Sequence, residues 1–123
     1  MNQVYADTDF FLAIAKKEDW LKTNAQKLYN KHRGNIRTNI LTLVELALIS
    51  EKKNLDFEKI ISSIFDIADV EGITIEEGME IAHLINSKIG VFDAFHAVMS
   101  RGLPIVSSDH VYDKIGKERI KLE

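Results

Sequence analysis

Short apolar segments that alternate with helix-length segments constrain the fold of this chain most. Helical patterns fill most of the sequence between five predicted strands, which cover residues 3–6, 35–38, 70–74, 104–107 and 119–122. Antiparallel strands can be joined by tight turns, whereas parallel strands need a crossover, which is usually a helix. The alternation therefore predicts an α/β protein whose short parallel sheet is covered by helices on both faces.

The size and composition of the chain fit one domain, residues 1–123, and exclude several classes of protein. About 46% of its 123 residues are apolar, which is enough for a packed core. It has no Cys, which excludes a disulfide framework and a thiolate zinc site and agrees with a reducing cytoplasm. No apolar run reaches the ~20 residues that span a bilayer. The net charge of −3 excludes a strongly basic protein that coats nucleic acid.

Two acidic residues follow predicted strands. Asp7 comes directly after the first strand, and Asp109 comes just after the strand at 104–107. In an open parallel sheet the ligand site lies beyond the carboxyl ends of the strands. Each residue also has an ordinary alternative, because Asp7 can cap the first helix and Asp109 can be a turn residue.

A third acid lies in an unusually apolar helix. The segment from residue 40 to 49 reads ILTLVELALI, and its polar residues are Thr42 and Glu45. Such a pattern predicts a buried helix, in which a carboxylate needs a partner. No Lys or Arg lies within four residues of Glu45. Thr42 lies on roughly the same helix face and can hydrogen-bond Glu45, but the main partner must be a metal or a distant Arg. An exposed position at the edge of a helix face is the alternative.

The fourth acid, Asp93, stands among apolar neighbours in the segment GVFDAFHAVMS. It can simply cap the helix predicted over residues 92–100. Taken together, however, Asp7, Glu45, Asp93 and Asp109 favour one shared site. Carboxylates without His or Cys suit Mg²⁺ or Mn²⁺ better than Zn²⁺, and two such ions can promote hydrolysis of a phosphoester. Without a cation the acids repel one another, so some should have a raised pKa.

The same four segments resemble a known family. The chain is similar to PIN domains, most of all to the VapC-type toxins of toxin–antitoxin pairs. The resemblance rests on four motifs in the family's order, namely VYADTDFFLAIA, ILTLVELAL, VFDAFHAVMS and PIVSSDHVYDKI. It implies a Rossmann-like parallel sheet and a Mg²⁺- or Mn²⁺-dependent endoribonuclease whose four acids hold the metal that activates water.

The resemblance also implies roles for neighbouring residues and for partners. Thr8 and Ser107 match small hydroxyl residues that support the acids, whereas His96 falls where the family often has a structural His. Asp9 departs from the family pattern, and we expect it either to cap the first helix or to touch water on the metal. A homodimer and a small antitoxin protein are the implied partners.

Two alternatives of other classes stay open. Asp7 and Asp9 form the D-x-D that a haloacid-dehalogenase-like phosphatase places after its first strand, although that hypothesis leaves Glu45 unexplained. A PIN fold can also serve as an RNA-binding or scaffold module without catalysis. Measured cation binding separates this second alternative from an enzyme.

Basic residues concentrate in one part of the chain. Seven Lys and Arg and two acidic residues lie between positions 16 and 37, so that this segment carries a charge of +5. Such runs are usually solvated helix faces. The functional alternative is that Lys27, Lys31 and Arg33 attract the phosphates of single-stranded or loop RNA, whose backbone and bases are accessible.

Overall fold

A computed structural model describes residues 2–123 and arranges their five strands in one parallel sheet. Its strands lie in the spatial order β3-β2-β1-β4-β5, and every neighbouring pair is parallel. The strands are β1 (Val4–Ala6), β2 (Ile36–Asn39), β3 (Asp69–Glu71), β4 (Ile105–Ser107) and β5 (Arg119–Lys121). The predicted α/β class with a short parallel sheet is confirmed.

Helices fill the connections between the strands. In the described part of the chain they are α1 (Thr8–Ala15), α2 (Lys22–His32), α3 (Ile40–Lys53), α4 (Phe57–Ile67), α5 (Ile75–Asn86), α6 (Val91–Met99) and α7 (Val111–Lys114). The short helix α7 was not predicted, because four residues are too few to show a helical period. None of the helices in residues 2–123 has the length and apolar character that a bilayer crossing requires.

The core lies on both faces of the sheet. Successive side chains of a strand point to opposite faces, and β1 shows the consequence. Val4 and Ala6 pack into a large cluster with buried residues of α1, α3 and α4, whereas Tyr5 packs into a second cluster with residues of α6, α7 and β4. Helices therefore cover both faces, as predicted.

Helix α3 is not buried all round, contrary to the expectation from its apolar sequence. Its Ile40, Val44 and Leu48 are 49%, 46% and 56% exposed. These residues recur every four positions and therefore form one stripe on the helix surface. The opposite face carries Thr42 and Leu46, both fully buried. The apolar pattern thus includes a face that the rest of the fold leaves uncovered.

The connection between α1 and α2 is longer than the sequence predicts. The apolar residues between Glu18 and His32, Trp20 among them, recur at helical spacing and predict a helix over this range with Trp20 in the core, but α2 begins at Lys22. The Lys22 ammonium donates to the carbonyl oxygens of Ile14, at 2.8 Å, and Lys16, at 2.7 Å, which ties the connection to the end of α1. Trp20 lies in this connection and is 78% exposed, so its predicted place in the core is wrong.

Candidate functional site

The four predicted acids lie at or near the carboxyl-terminal edge of the sheet. Asp7 follows β1 directly, and Asp109 lies two residues beyond β4. Glu45 is in the second turn of α3, which begins where β2 ends, and Asp93 is in the first turn of α6. Parallel strands end on one edge, so the topology gathers side chains that are up to 102 positions apart in the sequence.

Asp7 is the most densely hydrogen-bonded of these acids. Its Oδ2 accepts from the Ser107 hydroxyl at 2.7 Å and from the Tyr112 hydroxyl at 3.2 Å. Its Oδ1 accepts from the backbone N–H of Thr8 at 2.7 Å and lies 3.1 Å from His96 Nε2. Asp7 is therefore the N-cap of α1 and a member of the acidic cluster at the same time.

Glu45 turns toward Asp7 from α3. Its Oε1 accepts from the Thr8 hydroxyl at 2.5 Å and lies 3.2 Å from His96 Nε2. Among the described residues, the ion pair that Glu45 forms is with His96, and no Lys or Arg pairs with it. Thr42 does not take the predicted part, because its hydroxyl hydrogen-bonds that of Thr38 at 2.7 Å. The Glu45 side chain is 24% exposed, so it is open to a ligand from solvent.

Asp93 and Asp109 face one another. Gly90, not Asp93, is the N-cap of α6, so capping does not account for Asp93. Burial first, and then the charges of Asp109 and Asp7, raise the pKa of Asp93 to about 7. Asp109 precedes α7, and its Oδ1 accepts from the backbone N–H of Val111, the first residue of that helix, at 2.9 Å. The raised pKa of Asp93 agrees with the prediction for an acidic cluster without a cation, although burial contributes more to it than the neighbouring charges do.

Asp9 takes a position that the sequence did not reveal. The cap of α1 is Asp7, so the capping role expected of Asp9 is wrong. Asp9 Oδ2 instead accepts from the backbone N–H of Ser108 at 2.9 Å and from the Ser108 hydroxyl at 2.5 Å. Its Oδ1 is buried and has no partner among the described residues. Burial and the nearby charge of Asp7 raise the pKa of Asp9 to about 6.

His96 lies at the centre of the acidic cluster, next to residues that were not predicted to belong to the site. It is 1% exposed, and ligand-capable atoms of Asp7, Glu45 and His96 all lie within 4.8 Å of one another. Burial opposes its charged form, but the carboxylates of Asp7 and Glu45 outweigh burial and raise its pKa. A signal was available, because His96 follows Asp93 by three positions on one helix. Nothing in the sequence pointed to Tyr5, Asn39 or Tyr112.

The residues at this edge fit a hard divalent cation. Asp7, Glu45, Asp93 and Asp109 offer carboxylate oxygens from four separate elements. Oxygen donors of this kind are the preferred ligands of Mg²⁺ and Mn²⁺. A cation bound among them would also offset the mutual repulsion that raises the pKa of Asp93.

The basic residues predicted to bind RNA lie away from these acids. Lys31 and Arg33 come just before β2, at the end of α2 that leads to the amino-terminal edge of the sheet. Arg33 lies over the ring of Tyr29, 5.1 Å from its centroid. Lys27 is one turn of α2 earlier than Lys31. The length of β2, about 13 Å for four residues, separates the end of this segment from the acids.

Comparison with known proteins finds similarity in structure and not in sequence. No protein-family model and no curated protein sequence matches the chain. VapC20 of Mycobacterium tuberculosis, described as a sarcin-ricin loop cleaving toxin, superposes with a TM-score of 0.82 at 15% identity. The match covers 97% of this chain and 99% of that chain.

Two other solved structures show the same likeness. A toxin–antitoxin complex from Klebsiella pneumoniae matches with a TM-score of 0.70 at 11% identity, over 88% of each chain. VapBC2 from Rickettsia felis, bound to a DNA fragment from its promoter, matches with a TM-score of 0.69 at 14% identity, over 96% of each chain. The predicted resemblance to VapC-type PIN domains is therefore confirmed in the fold, and the chain has the α/β fold of these toxin structures.

Proposed function

We propose that the chain, as a single nuclease domain over residues 1–123, is a Mg²⁺- or Mn²⁺-dependent endoribonuclease. One observation carries the proposal: four acids from separate parts of the fold lie at or near the ligand-binding edge of the sheet, and the charges of Asp109 and Asp7 add to burial in raising the pKa of Asp93 to about 7. Buried like charges are costly, so a fold that keeps them together favours a cation as their partner. The likeness to VapC20, which is described as an RNA-loop cleaving toxin, supports the same activity.

The chain's own residues would hold and orient the cation. Asp7, Glu45, Asp93 and Asp109 are the proposed ligands, and a divalent cation there supplies Lewis acidity that favours attack of water on a phosphoester. Ser107 and Thr8 fix the ligand oxygens by donating hydrogen bonds to Asp7 and Glu45. Because these donors come from different elements, they hold the acids in place before substrate arrives.

RNA in single-stranded or loop form is the proposed substrate, and the cytoplasm is the proposed place of action. The acids lie at an open sheet edge, where an unpaired strand can bring one phosphate against them. The description of VapC20 as a toxin that cleaves the sarcin-ricin loop supports a loop substrate.

The partners proposed are an antitoxin protein and a second copy of this chain. Two of the structural neighbours are toxin–antitoxin complexes. An antitoxin that places an Arg among the acids would neutralise their charge. The exposed α3 stripe of Ile40, Val44 and Leu48 supports the homodimer, because apolar side chains uncovered at regular spacing favour association.

A phosphatase of the haloacid-dehalogenase type has less support. That hypothesis needs both Asp7 and Asp9 to face the substrate, but Asp9 Oδ2 accepts two hydrogen bonds from Ser108, and its Oδ1 is buried. A scaffold without catalysis would not need acids whose pKa is raised by one another. The measurements below separate both hypotheses from a nuclease.

The direct test is cleavage of total RNA by the purified protein with Mg²⁺, with Mn²⁺ and with excess EDTA. We expect cleavage with either cation and none in EDTA, because no other group at the site can supply comparable Lewis acidity. Mapping the RNA ends shows whether cuts fall in loops. Cleavage that persists in EDTA would contradict the metal requirement.

The basic segment should influence RNA binding more than bond cleavage. Replacement of Lys27, Lys31 and Arg33 by Ala should weaken binding and reduce its salt dependence, because fewer counterions are released from RNA. Single-turnover cleavage at saturating RNA should change little, since Lys31 and Arg33 come before β2 and the acids lie beyond the other end of that strand. If the variant and the wild type show the same slope of log RNA affinity against log salt concentration, these residues belong to a solvated surface that does not bind RNA.

A further inference from the structure

We infer that His96 is a positioning residue that holds Asp7 and Glu45 together through its Nε2–H, and that it is not a metal ligand. The inference deepens the proposed function and rests on it only in treating these two acids as the ligands. Distance alone does not distinguish these two roles of His96. A His nitrogen 3.1 Å from a carboxylate can donate a proton to it or bind the same cation.

A chain of hydrogen bonds decides where the His96 proton lies. The backbone N–H of Leu41 donates to Asn39 Oδ1 at 2.6 Å, and a backbone amide can only donate. The Asn39 amide nitrogen therefore faces the other way, toward the Tyr5 hydroxyl, to which it donates. The Tyr5 oxygen accepts that bond and keeps its own proton to donate, and His96 Nδ1 lies 2.7 Å from it.

Nε2 of His96 therefore carries a proton. When Nδ1 accepts, the neutral imidazole is protonated on Nε2, and the charged form is protonated there as well. The neighbours of Nε2 agree, because it lies 3.1 Å from Asp7 Oδ1 and 3.2 Å from Glu45 Oε1, both acceptors. The Thr8 hydroxyl oxygen is also 3.2 Å from Nε2. Because this hydroxyl donates its proton to Glu45, its oxygen can accept a hydrogen bond from His96. A metal could bind Nε2 only by displacing this proton, which would break the hydrogen bonds that join His96 to both carboxylates.

The burial and position of these residues indicate the structural role of this hydrogen-bond network. Tyr5, Asn39 and His96 are each 1% exposed, so water does not compete for their hydrogen bonds. Asn39 is also the N-cap of α3, the helix that presents Glu45. The same side chain thus begins the helix of one ligand and, through Tyr5, orients the imidazole that joins that ligand to Asp7. The metal site would then keep an all-oxygen ligand set, which favours Mg²⁺ and Mn²⁺ over Zn²⁺.

The tautomer of His96 tests the inference directly. In long-range ¹H–¹⁵N spectra of the labelled wild-type protein, without RNA, we expect a proton on Nε2, and the same signal after addition of Mg²⁺ or Zn²⁺. An unprotonated Nε2, or a shift of Nε2 that marks Zn²⁺ ligation, would overturn the inference. The spectrum is recorded without substrate, so a protein that cleaves no RNA still answers the question.

Metal affinity provides the second test. Tyr5→Phe removes the hydroxyl that orients His96, and Mg²⁺ affinity measured by calorimetry should fall about 10-fold, as when other groups that orient metal ligands are removed. Saturating Mg²⁺ should restore most of the cleavage rate. Ser100→Ala is the matched control, because it removes a buried hydroxyl at the end of α6 whose one hydrogen bond within residues 2–123 is to the Ala97 carbonyl. Equal Mg²⁺ affinity in the two folded variants would refute the positioning role.

Discussion

Replacement of Asp7 by Asn should reduce divalent-dependent RNA cleavage by more than about 100-fold. Loss of a residue that merely supports a metal ligand typically costs 10- to 100-fold, so loss of a ligand charge should cost more. Asp7 also lies at the centre of the site, with its two oxygens shared among Ser107, Tyr112, Thr8 and His96. Cleavage rates at saturating Mn²⁺, with folding checked by circular dichroism, measure the effect.

Two further variants make this result interpretable. Glu45→Gln keeps an oxygen that can accept from Thr8 but removes a ligand charge, so it should lose activity without losing the fold. Asp66→Asn changes an exposed acid near the end of α4, which leads to the opposite edge of the sheet, and should cleave as the wild type does. Near-normal activity in folded Asp7→Asn would remove this residue from the metal site.

Asp93→Asn should stabilise the metal-free protein above neutral pH and abolish its stabilisation by metal. The pKa of Asp93 is raised to about 7, so the folded state binds its proton more tightly than the unfolded state does. Its contribution to stability is complete below about pH 4 and is lost as the pH rises through about 7. The full shift corresponds to about 4 kcal/mol, and solvent screening of this half-buried group leaves an expected gain of about 1–2 kcal/mol.

Thermal melts between about pH 4 and pH 8, in EDTA and in Mn²⁺, measure both effects. In EDTA the wild type should lose stability as the pH rises, and the variant should lose less. Some pH dependence should remain, because the pKa of Asp9 is also raised, to about 6. In Mn²⁺ the wild type should gain stability by mass action, whereas the variant should gain little. A variant that keeps the full gain from Mn²⁺ would show that Asp93 is not a ligand.

The sequence by itself determined the parallel sheet and the place of its acids. Strands that alternate with helices indicate parallel crossovers, and parallel strands end on one edge, so the pattern placed Asp7 and Asp109 at the same edge of the sheet. Glu45 could be singled out because a carboxylate in an apolar helix needs a partner. These conclusions follow from local pattern and general topology, which a single sequence contains.

Only the tertiary structure decided which faces are covered and which polar groups meet. The apolar sequence of α3 does not distinguish a face packed on the sheet from the exposed stripe at Ile40, Val44 and Leu48, because exposure depends on the neighbouring elements. The bond between Tyr5 and His96 joins residues 91 positions apart, and its direction depends on the Asn39 amide. No local pattern encodes a hydrogen-bond direction over such a separation, since it arises only when three elements pack against one another.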